Sequence, residues 1–181
     1  MALMYAFLII IIILGSLGIV YVNAFNKLQD CKIKMDEAES IVDESLRKKY
    51  DLLIEEKDFL INNIKDKKIS FKDLDELKKD ELSNYDLDRR LVDIINYMNK
   101  IVDDYPELKK DKKLNGIINE TKRADEKITA AKHFYNKYTS LSNEVVRKFP
   151  SNIVAKTHDI KLKEFFDGKD MNDEITNDFK L

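Results

Sequence analysis

The chain has 181 residues, 36% of them Asp, Glu, Lys or Arg, yet Met1 to Asn26 carries no charged side chain at all. All 32 basic and 34 acidic groups follow in an interleaved order with a net charge of −2, which excludes a basic nucleic-acid surface. Four glycines and two prolines are too few for a turn-rich sheet fold or a phosphate-cradling loop, and the composition is that of long helices.

Leu3 to Val22 reads as a membrane span. It holds twenty residues with Ser16 as the only strongly polar one. At ~1.5 Å per residue such a helix is ~30 Å long, the thickness of a bilayer's hydrocarbon core. Tyr5 and Tyr21 lie near the two ends, where amphipathic rings favour the interface. A cleaved signal peptide is the competing reading, and Val22-Asn23-Ala24 resembles a weak cleavage site. Against it, no basic residue precedes the apolar run, and the run is too long. Lys27, Lys32 and Lys34 follow the span closely, and the positive-inside bias then puts the large domain on the cytoplasmic face.

Leu28, Cys31, Met35, Ala38 and Val42 recur at alternating spacings of three and four. The apolar stripe then drifts to Leu46, Leu53, Leu60 and Ile64. Neither Gly nor Pro interrupts 23–68, so the span is expected to run on as one helix to about Lys65. Ser70, with Asp73 three residues on, predicts the N-cap of a short helix. Ser83 to Asp86 breaks the pattern. Leu87, Leu91, Ile94, Met98, Ile101 and Tyr105 form the next stripe, which Pro106 ends.

The longest repeat is Leu114, Ile117, Thr121, Ala124, Ile128, Ala131, Tyr135, Tyr138, Ser142, Val145 and Phe149. Eleven positions in phase predict a helix packed along a coiled-coil-like seam. Thr121, Ala124 and Ala131 are small enough to let a neighbouring helix approach closely. Pro150 stops this helix, and a last helix is expected over Ser151 to Phe166. The fold class expected is all-α: an N-terminal transmembrane helix continuing into an up-and-down bundle of antiparallel helices, three long and one shorter. The domains are then a transmembrane anchor at 1–24, a helical bundle at 25–166 and an acidic, polar tail at 167–181.

Six short motifs, in order, resemble the LemA family. Phe25-Asn26-Lys27-Leu28 is similar to that family's "YNxL", and Leu46 to Leu53 (LRKKYDLL) to its "LkRRxDLI". Asp104-Tyr105-Pro106-Glu107-Leu108 is similar to "EnYPdLK", and Lys127 to Asn136 to "kIaxARxxYN". Phe149-Pro150-Ser151-Asn152 with Ala155 matches "FPxnxxA", and Phe165-Phe166 sits where the family has "yF". The resemblance covers Phe25 to Phe166. Where the family has proline, asparagine and leucine after "DLI", this chain has Ile54, Glu55 and Glu56. Its second "YN" is Ser142-Asn143, and the arginine of "AR" is Lys132. The resemblance implies a bacterial, membrane-anchored helical bundle with no enzymatic activity.

The residues themselves offer little chemistry. Cys31 is the only cysteine, which excludes an intramolecular disulfide and a cysteine metal cage. It falls on the apolar stripe, where a thiol behaves as a small hydrophobe. His133 and His158 are too few and too far apart for a zinc motif; His133 lies off the seam and is expected at the surface, and His158 reads as a helix-start residue. No Glu-x-x-His exists for a di-metal bundle. The acids Asp51, Glu55, Glu56, Asp58, Asp103, Asp104, Glu107 and Asp111 interleave with lysines such as Lys48 and Lys110, and are expected on solvated helix faces. Asn119-Glu120-Thr121 matches a glycosylation sequon inside a helix and is discounted.

No catalytic, cofactor-binding or metal-ligating residue is therefore expected. The leading expectation is a helical scaffold or interaction protein standing on the membrane as a single-pass anchor, with membrane or membrane-associated proteins as partners and no nucleic acid. The alternative is a bundle that binds a small apolar or lipid ligand in an interhelical cavity lined by Tyr135, Tyr138 and Phe149.

Overall fold

The computed structural model describes residues 1–64, 69–77 and 82–166. Among them the chain is all-helical, without strands. The helices are α1 (Ala2–Asn63), α2 (Lys72–Glu76), α3 (Asn84–Asp104), α4 (Lys112–Arg147) and α5 (Ser151–Thr157), with a 3-10 turn at Leu108–Lys110. Helix α1 runs 62 residues without a break from the apolar start into the charged sequence. Its expected end at Lys65, and the expected tail 167–181, lie outside the described residues.

The chain forms two compact units. The first comprises Met1–Glu37 and Phe134–Phe165, and the second Ala38–His133 with Phe166. In the first, every residue from Met1 to Asn23 is exposed, and burial begins at Ala24. Leu28 packs with Val145 and Ala155, supported by Val146 and Ile160. Cys31 and Met35 are buried as the stripe predicts, and the hydroxyl of Thr139 donates to the Met35 sulfur at 3.3 Å. In the second unit, Val42, Leu46, Leu53 and Leu60 of α1 pack with Leu91, Ile94, Met98 and Ile101 of α3 and with Leu114, Ile128 and Ala131 of α4.

Local chemistry sets the helix ends, in places against expectation. Ser70 caps nothing: α2 begins after Phe71, with no side-chain cap. The capping serine is Ser83, whose hydroxyl accepts from the Asp86 amide at 3.1 Å while donating to the Asp86 carboxylate at 2.6 Å. The apparent pattern break at Ser83–Asp86 is thus the start of α3. Asp111 caps α4 by accepting from the amides of Lys113 and Leu114. The last helix is shorter than expected, ending at Thr157 and not Phe166. Asp159 takes a left-handed conformation (φ 50°), and the amides of Asp159 and Ile160 donate back to the carbonyls of Lys156 and Ala155. These two bonds form a Schellman ending, and Ile160 packs against the apolar cluster of Leu28, Val145 and Ala155. Beyond it, the buried Asn143 side chain holds the non-helical strand of chain, donating to the Lys163 carbonyl and accepting from the Lys163 amide, both at 2.8 Å.

The long seam holds from Leu114 to Ala131 and again at Ser142 and Val145. Between them Thr139 is the fully buried residue, with Tyr135 and Tyr138 only partly buried, so the packed face rotates by one position there. Phe149 is 80% exposed and not in the seam, because α4 stops at Arg147 and the ring is no longer carried on the helix face.

Ala131 lies 5% exposed in the core of the second unit. Ala131→Leu forces extra methylenes into a packed site, at a cost of ~1–3 kcal/mol. The full-length protein in non-ionic detergent should lose several degrees of melting temperature, followed by circular dichroism. An unchanged midpoint would mean that this face is not packed.

Candidate functional site: two ionisable residues on a core face

The seam of α1 does not drift within the second unit. Lys49 and Glu56, one heptad apart, fill the positions between Leu46, Leu53 and Leu60, and both are buried, at 0% and 3% exposure. Sequence reasoning passed over Lys49 and assigned Glu56 to a solvated face. The signal was the spacing itself: 42, 46, 49, 53, 56 and 60 is an unbroken alternation of four and three.

The two residues are treated oppositely. The Lys49 ammonium donates to Asp125 of α4 at 2.7 Å and to Asp88 of α3 at 3.1 Å. Asp88 also accepts from Lys132 at 2.5 Å, and the Lys132 ammonium stands 5.4 Å from the ring centre of Phe166. Burial pushes the Asp88 carboxyl up, but the hydrogen bonds and charges of Lys132 and Lys49 outweigh it, so it stays below the ordinary aspartate range. The network ties α1, α3 and α4 together with charge fully compensated at its centre.

Glu56 has no hydrogen bond or ion pair among the described residues. Burial alone raises its pKa to about 7. It lines an open cleft of about 300 Å³ with Val92, Ile95 and Asn99 of α3 and Ile118, Thr121, Lys122 and Asp125 of α4. A second cleft in the same unit, about 430 Å³, is lined by Phe71, Leu74, Ile94, Tyr97 and Arg90 among others. Neither cleft includes Tyr135, Tyr138 or Phe149.

The other singled-out residues are dispersed. Asp51, Glu55, Asp58, Asp103, Asp104 and Glu107 are exposed, and Asp111 is half-buried in its cap. The lysine Lys48 pairs with Glu120 at 2.9 Å on the surface. His133 is exposed, and Cys31 is buried with its thiol pushed up mainly by desolvation. His158 starts no helix. It closes α5, shares a 2.7 Å hydrogen bond with the Tyr21 hydroxyl, and packs at a tilt against Phe25 with ring centres 4.6 Å apart. Thr121 of the sequon is buried in α4 and donates to the Ile117 carbonyl. No group of three or more His, Cys, Asp or Glu placed to hold a metal occurs among the described residues.

A family model described as the LemA family matches residues 38–179. The chain belongs to the LemA family. The match starts at Ala38, so the Phe25–Leu28 motif lies outside it and the other five lie within. No curated protein and no solved structure matches the chain. Lys49, Asp88, Asp125, Lys132 and Glu56 all fall inside the family-matched region of this LemA chain.

Glu56 makes stability depend on pH. Unfolded, its carboxyl loses the proton near 4.5; folded, it holds the proton to about 7. Between those values the folded state binds more protons, so stability falls as pH rises, by roughly 3 kcal/mol in all. Glu56→Leu removes the penalty. Chemical denaturation of the full-length protein should find the variant more stable at pH 8 and nearly unchanged at pH 4.5. Equal stability of the two proteins at pH 8 would contradict the buried, unpaired state of Glu56.

Proposed function

We propose that this LemA-family chain is a membrane-anchored helical interaction protein, holding partner proteins at a bilayer and performing no reaction of its own. The observation that carries this reading is α1. Residues 1–23 are all exposed and, apart from Ser16 and Asn23, carry no strongly polar side chain, and the helix continues unbroken into residues that build both packed units. An exposed hydrocarbon surface of that length needs lipid to cover it. One helix among the described residues has the length and composition to cross a membrane. In the second unit Lys49, Asp88, Asp125 and Lys132 form one ion-paired network across three helices, which suits a rigid support.

Lys27, Lys32 and Lys34 favour a cytoplasmic bundle under the positive-inside bias. Partners are then membrane or membrane-associated proteins on that side. A second reading, an apolar or lipid ligand between helices, draws support from the cleft lined by Phe71, Leu74, Ile94 and Tyr97. Its charged rim of Asp73, Glu76, Arg90 and Asp93 makes it the weaker one.

The full-length protein should remain with membranes through an alkaline carbonate wash, and a chain lacking residues 1–24 should leave with the supernatant. Release of the full-length chain would refute the anchor. For sidedness, Lys161 offers a side chain that is 82% exposed. A Cys31→Ser, Lys161→Cys protein should resist a membrane-impermeant thiol reagent in intact cells and react once they are broken. Labelling of intact cells would put the bundle outside and redirect the partner search.

A further inference from the structure

We propose that the cleft beside Glu56 is a binding site for an alkylammonium group, whose charge Glu56 takes up and whose hydrocarbon body rests on Val92, Ile95 and Ile118. Three observations converge on it. Glu56 is 3% exposed and makes no hydrogen bond or ion pair among the described residues, so its carboxyl is largely removed from water with no charge set against it. Such a group is costly unless an opposite charge meets it. The same side chain lines a cleft of about 300 Å³, at the lower end of the volumes that hold small ligands. The walls select the chemistry: three aliphatic side chains, with Asn99 and Thr121 as the neutral polar groups.

The charged neighbours are few. From α4, Asp125 and Lys122 line the cleft; Asp125 is bound to Lys49, one heptad before Glu56 on α1. The α3 wall of Val92, Ile95 and Asn99 contributes no titratable group. A hard divalent cation demands about six or more oxygen ligands, and one free carboxyl among aliphatic walls does not supply them. A monovalent organic cation needs one carboxylate and a hydrocarbon surface, which this cleft has.

The head group can belong to a free amine or to a lysine side chain. Pentylamine and N-acetyl-lysine methylamide therefore serve as separate probes, with pentanol as the uncharged control. Full-length protein in non-ionic detergent, labelled at its Val and Ile methyl groups, is titrated with each at pH 5.5 and 8.5. Glu56 is about 7 in pKa when free, so roughly thirtyfold tighter amine binding is expected at pH 8.5, where it is ionised. Saturable shifts at Val92, Ile95 and Ile118 with either charged probe support the site. Binding of pentylamine alone assigns it to free amines, and binding of the capped lysine assigns it to a side chain. In Glu56→Gln, folded by its circular dichroism, the pH dependence should vanish and affinity should fall at least tenfold. The proposal is overturned if no charged probe shifts these methyls saturably. Pentanol binding as tightly as pentylamine, or Glu56→Gln binding like the wild type, also overturns it. None of these results bears on whether α1 anchors the chain.

Discussion

An ammonium group with no exposed surface has to find carboxylates, and Lys49 finds one on each of two other helices. That requirement governs the second unit. Moving a charged group out of water costs several kcal/mol, and only close, hydrogen-bonded partners offset it. Asp88 and Asp125 must therefore lie at defined heights along α3 and α4 relative to Lys49. Leucines alone are permissive about sliding by a turn; a buried charge is not. The aliphatic rows on either side of Lys49, from Val42 to Leu60, then pack in the register that the ion pairs select.

Much of the fold was legible in the sequence because it is written in periodicity. The apolar span, the stripes of α1 and α3 and the first half of α4 follow from spacing and from the scarcity of Gly and Pro. What failed did so for identifiable reasons. Ser70 and Ser83 both precede an acid three residues on, and only backbone geometry decides which one caps. The final helix ends nine residues before the sequence alone implies, because Asp159 stops it without a glycine signal, although Asp tolerates a left-handed conformation better than most residues. Phe149 fits the seam's arithmetic, but the helix carrying that seam has ended two residues earlier.

The core charges were missed for a different reason. A stripe sought among hydrophobic residues skips a lysine and a glutamate in phase with it, and the gap is then read as drift. Lys49 and Glu56 occupy equivalent positions a heptad apart, yet one is fully compensated and the other faces a cleft alone. Their difference is the main asymmetry of this core. It separates a part of the bundle that fixes structure from a part that leaves one charge open to an outside group. For a LemA-family chain read as a membrane-held interaction protein, a compensated core and one uncompensated carboxyl are compatible demands, because they sit on successive heptads of one helix.

The most direct measurement is a double-mutant cycle between Lys49 and Asp88, using Lys49→Met, Asp88→Asn and both together. Unfolding free energies would be taken by chemical denaturation of the full-length protein in non-ionic detergent. If the buried ion pair fixes the register of α1 and α3, the coupling energy should be about 1.5–3 kcal/mol, with both single variants clearly destabilised. Single-variant effects that add to within about 0.5 kcal/mol would contradict it.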